Sequence, residues 1–237
     1  MDSQYILLWF EAPMQSWGAD SKFGRRDSLP FPTKSGVLGL LCSALGASGE
    51  QREFLAEMAQ KKQTVISFNQ KNEKTLLKKE REPLMRDFHM VGSGYNASDP
   101  WESLFIPKTA DGKSAVGGGT KMTFRYYLQN AKFAVAIEVP KELVDSFSKA
   151  LQNPIYDLFL GRKNCVPTDI IFRGIFNTED EALSTAGQIA NQKELLEDFR
   201  VLSGKHDGEI MTVNDVPIQF GLIKKYTDRI ITIVYHE

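Results

Sequence analysis

Apolar and polar positions follow two different rhythms along this chain, separated by a long stretch that follows neither. Residues 5–10, YILLWF, form a nearly unbroken apolar run and predict a buried central strand. A loop of about 23 residues follows, longer than a simple connection needs. Val37, Leu38, Leu40, Leu41, Ala44 and Leu45 then recur at helical spacing on one face. Pro32 and Thr33 mark the start of that helix and Gly46 its end. Residues 50–60 read as a second short helix with Phe54, Leu55 and Met58 inward, and 64–68 as a strand. Phe133, Val135, Ile137 and Val139 alternate with smaller residues, predicting a half-buried strand over 131–139. Pro140 opens a helix that buries Leu143, Val144, Phe147 and Leu151, and 169–176 is a further strand.

Periodicity fades over 69–130, which holds Gly92, Gly94 and the run Gly117, Gly118, Gly119 among basic and aromatic residues. This segment reads as an insertion shaped as an extended hairpin. Beyond residue 177 come an acidic helical stretch and short strands around 209–213 and 229–235. The order strand, helix, strand, insertion, strand, helix, strand predicts an α+β fold with a ferredoxin-like β-α-β-β-α-β core. Residues 1–176 form that core, including the 69–130 insertion, and 177–237 form a C-terminal extension packed on it.

Composition narrows the function classes. A hydrophobic share of 42% and a charged share of 25% are those of an ordinary globular chain. No apolar run approaches the ~18 residues of a membrane span, and the first residues lack the basic start and cleavage site of a signal peptide. Two cysteines, Cys42 and Cys165, without metal spacing fit a reduced cytoplasmic setting. The net charge of −1 hides an asymmetry. Residues 61–86 carry eight Lys/Arg against three Glu, whereas 177–209 carry eight Asp/Glu against three Lys/Arg. That division suits one nucleic-acid face and one solvent or partner face, although a charge run is also ordinary solvated surface.

Candidate chemistry concentrates in residues 12–46. A loop carrying Trp17, Gly18, Arg25 and Arg26 leads into a helix whose first turn holds Lys34, Ser35 and Gly36. Free N–H groups at a helix start, a glycine that admits close approach and adjacent cations together hold phosphates. An exposed Trp17 stacks on an unpaired base, and arginine grips phosphate in a bidentate fork. The competing reading makes Trp17 a core residue and Gly36 a packing position. The GxxxxGK[ST] spacing of a triphosphate loop is missing. Gly161, Arg162 and Lys163 form a second basic glycine turn, either a phosphate clamp or a plain helix terminus. In the insertion Arg86, His89, Tyr95, Trp101, Lys121, Arg125, Tyr126 and Tyr127 interleave cations with aromatics, as single-stranded RNA binders do. Only His89, His206 and His236 are present, with no metal spacing and no nucleophile arrangement, so no cofactor, metal or catalytic residue is expected.

Taken together, APMQSWG, FPTKSGVLGLLCSALG, RDFHMVGSG, TFRYYLQNAKFAVAIEV and YDLFLGRKNC resemble the CasD family. These are crRNA 5′-end subunits of type I-E CRISPR Cascade complexes in the RAMP superfamily. The matching strings cover roughly the first three quarters of the chain. The resemblance implies a RAMP core with the 69–130 insertion as a β-hairpin thumb, and 161–165 as the superfamily's glycine-rich loop. It implies a non-catalytic, cytoplasmic, antiviral-defence subunit that caps the 5′ handle of crRNA. Its partners would be the backbone and large subunits, with target DNA contacted only indirectly. The alternative is a metal-independent endoribonuclease that processes precursor crRNA, as type I-C relatives do with Tyr, Lys and His residues.

Overall fold

The structure, a computed structural model, describes residues 3–18, 21, 24–72, 74, 77–91, 98–105, 108, 109, 112, 113 and 121–236. In chain order the described residues form β1 (Ser3–Glu11), β2 (Met14–Gln15), β3 (Trp17–Gly18), β4 (Arg25–Arg26) and β5 (Ser28–Leu29). Next come α1 (Lys34–Leu45), α2 (Arg52–Ala59), β6 (Gln63–Gln70), β7 (Met85–Val91), β8 (Lys121–Gln129), β9 (Lys132–Pro140) and α3 (Lys141–Gln152). The chain closes with β10 (Phe172–Phe176), α4 (Glu179–Gln192), β11 (Leu195–Ser203), β12 (Glu209–Gln219) and β13 (Lys225–Tyr235).

This is a mixed α+β fold built on antiparallel sheets. Among the described residues seven strands form one sheet in the order β10-β1-β9-β6-β11-β13-β12, each antiparallel to its neighbours. Its first four strands are separated in sequence by α1 and α2, by the β7–β8 segment and by α3. β1 explains its own unbroken apolar run, because both faces of the sheet are covered. Ile6, Leu8 and Phe10 meet the larger core that includes Val37 and Leu41 of α1 and Phe147 of α3. Leu7 and Trp9 point the other way, into a second core closed by Ala182, Ala186 and Ala190 of α4. Alanines four residues apart on one helix face give α4 a flat surface that approaches the sheet closely. β9 is buried on both faces rather than one: its Phe133, Val135 and Ile137 face the first core, and Ala134 and Ala136 meet the alanine face of α4.

Helix ends follow local chemistry. Thr33 caps α1 by accepting from the Gly36 N–H at 3.2 Å, and Gly46 closes it at φ 67°. A capping box joins Thr178 and Glu181 at the start of α4. The C-terminal strands are longer than the sequence pattern predicts, and β11 is a strand the pattern does not announce. It pairs with β6, so the tail continues the main sheet. Away from that sheet, β8 pairs with β7 along seven positions from Met85–Tyr127 to Val91–Lys121. The other edge of β8 takes β2 antiparallel and β4 parallel.

Candidate nucleic-acid interface

One open cleft of about 1110 Å³ gathers segments far apart in sequence. Its walls are the β3 region, one face of α1, the segment after α1, the loop after α3 and the turn between β12 and β13. The α1 face is narrow: Ser35, Gly36, Gly39, Leu40 and Ser43 line the cleft, while Val37, Leu38 and Leu41 are buried. Both basic glycine segments singled out in the sequence meet here. Gly18, Ser35, Gly36, Gly161, Arg162 and Lys163 all line this cleft.

The turn at 160–165 is tightly built. Leu160 N donates to Cys165 O at 2.8 Å, and Cys165 N donates to Arg162 O at 2.8 Å. Gly161 sits at φ 104°, and a Cβ there would lie 1.8 Å from Ser16 O, so only glycine lets this turn lie against the first loop. Arg162 fastens the turn from the other side. Its guanidinium donates to Tyr126 O at 3.2 Å and Arg26 O at 3.0 Å, and lies over the Tyr127 ring at 4.7 Å. Arg162 therefore holds the floor of the cleft together, whereas Lys163 is exposed at its rim.

Two expected contacts are corrected by burial. Trp17 is 1% exposed, stacks on Phe10 at 5.3 Å and donates from Nε1 to Gln15 Oε1 at 3.1 Å. Its ring is a core group and is not presented to a base. The same ring explains Gly36, since a Cβ on Gly36 would come within 2.8 Å of it. Lys34 is 3% exposed and donates from Nζ to Ala59 O at 2.7 Å and Lys61 O at 2.6 Å, satisfying carbonyls at the end of α2. Burial pushes its pKa down to about 8; nearby Arg229 adds to the shift and Asp215 opposes it. The start of α1 is occupied as well. Lys34 N donates to Asp215 Oδ2 at 2.8 Å, and Asp215 in turn pairs with Arg229 at 2.7 Å. The helix N-terminus is thus satisfied by a carboxylate from the tail, and its side face is what meets the cleft.

A second cluster lies on β4, β7 and β8. Arg25 is exposed, pairs with Asp27 at 2.7 Å, and lies over the Tyr126 ring at 4.8 Å. Asp27 raises its pKa. Arg26 stands beside Arg125, and Arg86 faces Tyr126 across the β7–β8 ladder. Arg86 lies over Phe124 at 5.6 Å, and Arg125 donates to Thr123 Oγ1 at 3.4 Å. His89 is half-buried, with Nδ1 3.5 Å from Asp87 Oδ2, and is not among the residues lining the cleft. The Lys121 side chain, Tyr95 and the glycines at 92, 94 and 117–119 lie outside the described residues. Unforeseen in the sequence are Phe88, Met90, Met122 and Phe124, which are exposed along this ladder, and the tail residues Lys224 and Tyr226 in the cleft. The cluster Lys224, Lys225, Tyr226 after Gly221 was the available signal for the latter. Among the described residues no three His, Cys, Asp or Glu side chains gather to hold a metal, and no helix is long and apolar enough to cross a membrane.

Residues 5–231 match the family described as CRISPR-associated protein (Cas_Cas5). The chain belongs to this family. It is 28% identical over 181 residues to the CRISPR system Cascade subunit CasD of Escherichia coli (strain K12), covering 74% of this chain and 73% of that protein. A chain of a solved CRISPR RNA-guided surveillance complex superposes with a TM-score of 0.67 at 26% identity, covering 98% of this chain and 90% of the other. A Cas protein crystal structure at 24% identity, with a TM-score of 0.58 and coverage of 98% and 94%, shares the fold.

Proposed function

We propose that this subunit binds and caps the 5′ handle of crRNA without cleaving it, and links the backbone and large subunits of its complex. The observation that carries the reading is the cleft itself, where the small-residue face of α1 meets the basic Gly161 turn across a built floor. Gly18, Ser35, Gly36, Gly161 and Arg162 shape the path of the RNA, and Lys163 meets a phosphate. The order β10-β1-β9-β6, split by crossover helices, supports a ferredoxin-like RAMP core over 1–176 with 177–237 as its extension. The β7–β8 ladder within 69–130 acts as the thumb. There Arg125 and Tyr126 press on a displaced nucleotide and a neighbouring subunit, while Arg25 and Arg26 of the adjoining β4 grip handle phosphates. Target DNA is reached only through the complex, in a reduced cytoplasmic setting where buried Cys42 and Cys165 stay free. The placement of His89 on the ladder, apart from the cleft lining, favours binding over cleavage.

A salt series on the complex tests this. Phosphate contacts release counterions, so each one lost makes the salt dependence shallower. Arg25→Ala, Arg26→Ala and Lys163→Ala together should weaken handle binding at 150 mM salt, on the order of tenfold or more, with a flatter slope. Unchanged affinity and slope would overturn the assignment. Cleavage of repeat RNA in EDTA by the purified chain would favour the endoribonuclease instead.

A further inference from the structure

With Trp17 buried, the stacking group of an RNA cleft has to come from elsewhere, and the cleft supplies two. Tyr156 is 57% exposed and Tyr226 is 38% exposed, and both line it. Each is held from behind. Ile155 N donates to Ala44 O at 2.9 Å and Tyr156 N donates to Ser43 O at 3.3 Å, fixing that loop to the end of α1. Tyr226 stands at the start of β13, paired with Pro217 of β12, and the turn just before it is fixed to the segment between α1 and α2. Phe220 N donates to Glu50 O at 3.0 Å, and Gln219 Nε2 donates to Glu50 Oε1 at 3.1 Å and Ile223 O at 2.9 Å. A Cβ on Gly221 would lie 3.4 Å from the Gly49 backbone, so the two segments are in close contact. Exposed Lys163 and Lys224 line the same cleft as the two rings.

We infer that the cleft contains a subsite for unpaired nucleotides, with bases stacking on Tyr156 and Tyr226 and their phosphates against Lys163 and Lys224. The subsite rests on the reading of the cleft as an RNA site. It goes further by making the β12–β13 turn a direct RNA-contacting wall and by selecting single strands, since a duplex keeps its base faces stacked inside. Aromatic rings carried on backbone segments that are already anchored offer stacking area with less ordering cost than rings on a free loop.

The test uses the full chain and a short single-stranded RNA carrying 2-aminopurine at successive positions. Stacking predicts quenched fluorescence at one or two positions with the unaltered protein. Tyr156→Ala and Tyr226→Ala should each abolish one quench and weaken binding roughly 5- to 150-fold, the equivalent of ~1–3 kcal/mol per stacked base. They should leave the salt slope unchanged, and the Phe variants should restore affinity. Lys163→Ala and Lys224→Ala should flatten the slope by about one each. If the lysine variants weaken binding but no position is quenched and the tyrosine variants bind normally, the subsite is overturned while the RNA cleft stands. If neither pair changes binding, both fall. The quench in the unaltered chain decides the matter even if a variant misfolds.

Discussion

Gly161 is the position where this structure leaves the side chain least freedom. Gly161→Ala places a methyl at φ 104°, a backbone region that costs an alanine ~1–3 kcal/mol. The methyl would also stand 1.8 Å from Ser16 O, a distance no Cβ contact tolerates. Relief requires the turn and the first loop to part by more than an ångström. That movement breaks the Ser16 N to Leu160 O hydrogen bond of 3.1 Å, a net ~1 kcal/mol. It also strains the two Arg162 donations to Tyr126 O and Arg26 O, worth about 1.5–3 kcal/mol as charge-assisted bonds. The expected loss is on the order of 3–5 kcal/mol of local stability. Hydrogen exchange at the Ser16 amide should accelerate by about two orders of magnitude or more, at 1.4 kcal/mol per tenfold. Denaturant unfolding should show an earlier midpoint wherever the opening spreads beyond the turn. Exchange at Ser16 and a midpoint both equal to those of the unaltered chain would refute the reasoning.

Gly187 provides the contrast, because a Cβ there meets nothing within 4 Å inside α4; Gly187→Ala should stabilise the chain by ~0.5–1 kcal/mol in the same denaturant assay. Asp215→Ala should cost about 3–5 kcal/mol, since it leaves Arg229 without its carboxylate and the Lys34 N–H without an acceptor; thermal unfolding reads this, and a loss under 1 kcal/mol would contradict it. Lys34 sets a pH dependence. Its pKa is about 8 in the folded chain against ~10.4 when unfolded, so between those values the unfolded chain binds the extra proton. Stability should therefore rise with pH from about 8 to 10 and lie at its lower plateau below 8, and Lys34→Met should flatten that rise; an equal slope in both chains would remove Lys34 as its source.

Much of the core was legible because burial imposes a period on the sequence. The apolar run of β1, the stripe on α1 and the alternation in β9 each announce a face that must be covered. What was lost follows from the same logic. Ala134 and Ala136 carry no strong polarity signal, so a strand buried on both faces reads as half-buried, and the helix that covers the second face looks like an acidic tail. β11 mixes Glu197, Asp198 and Arg200 with its apolar residues; all three are engaged in ion pairs, Asp198 with Lys78 and Arg81 and Glu197 with Arg200, which no period reveals. At the site, residue type pointed to the right segments but not to side-chain direction. Lys34 and Arg162 read as phosphate ligands, yet their donors go to backbone carbonyls fixed by tertiary contacts. The Tyr226 wall depends on a pairing between residues near 50 and 220, too distant for local pattern to show.

The most direct test of the account is photo-crosslinking of crRNA within the assembled complex. 4-Thiouridine placed singly at each 5′-handle position, followed by mass spectrometry of the linked peptides, locates the RNA on this subunit. Crosslinks are expected in the segments 153–165 and 220–229 around the cleft. Bound crRNA that crosslinks only to other surfaces of the chain, such as the α4 face, would contradict it.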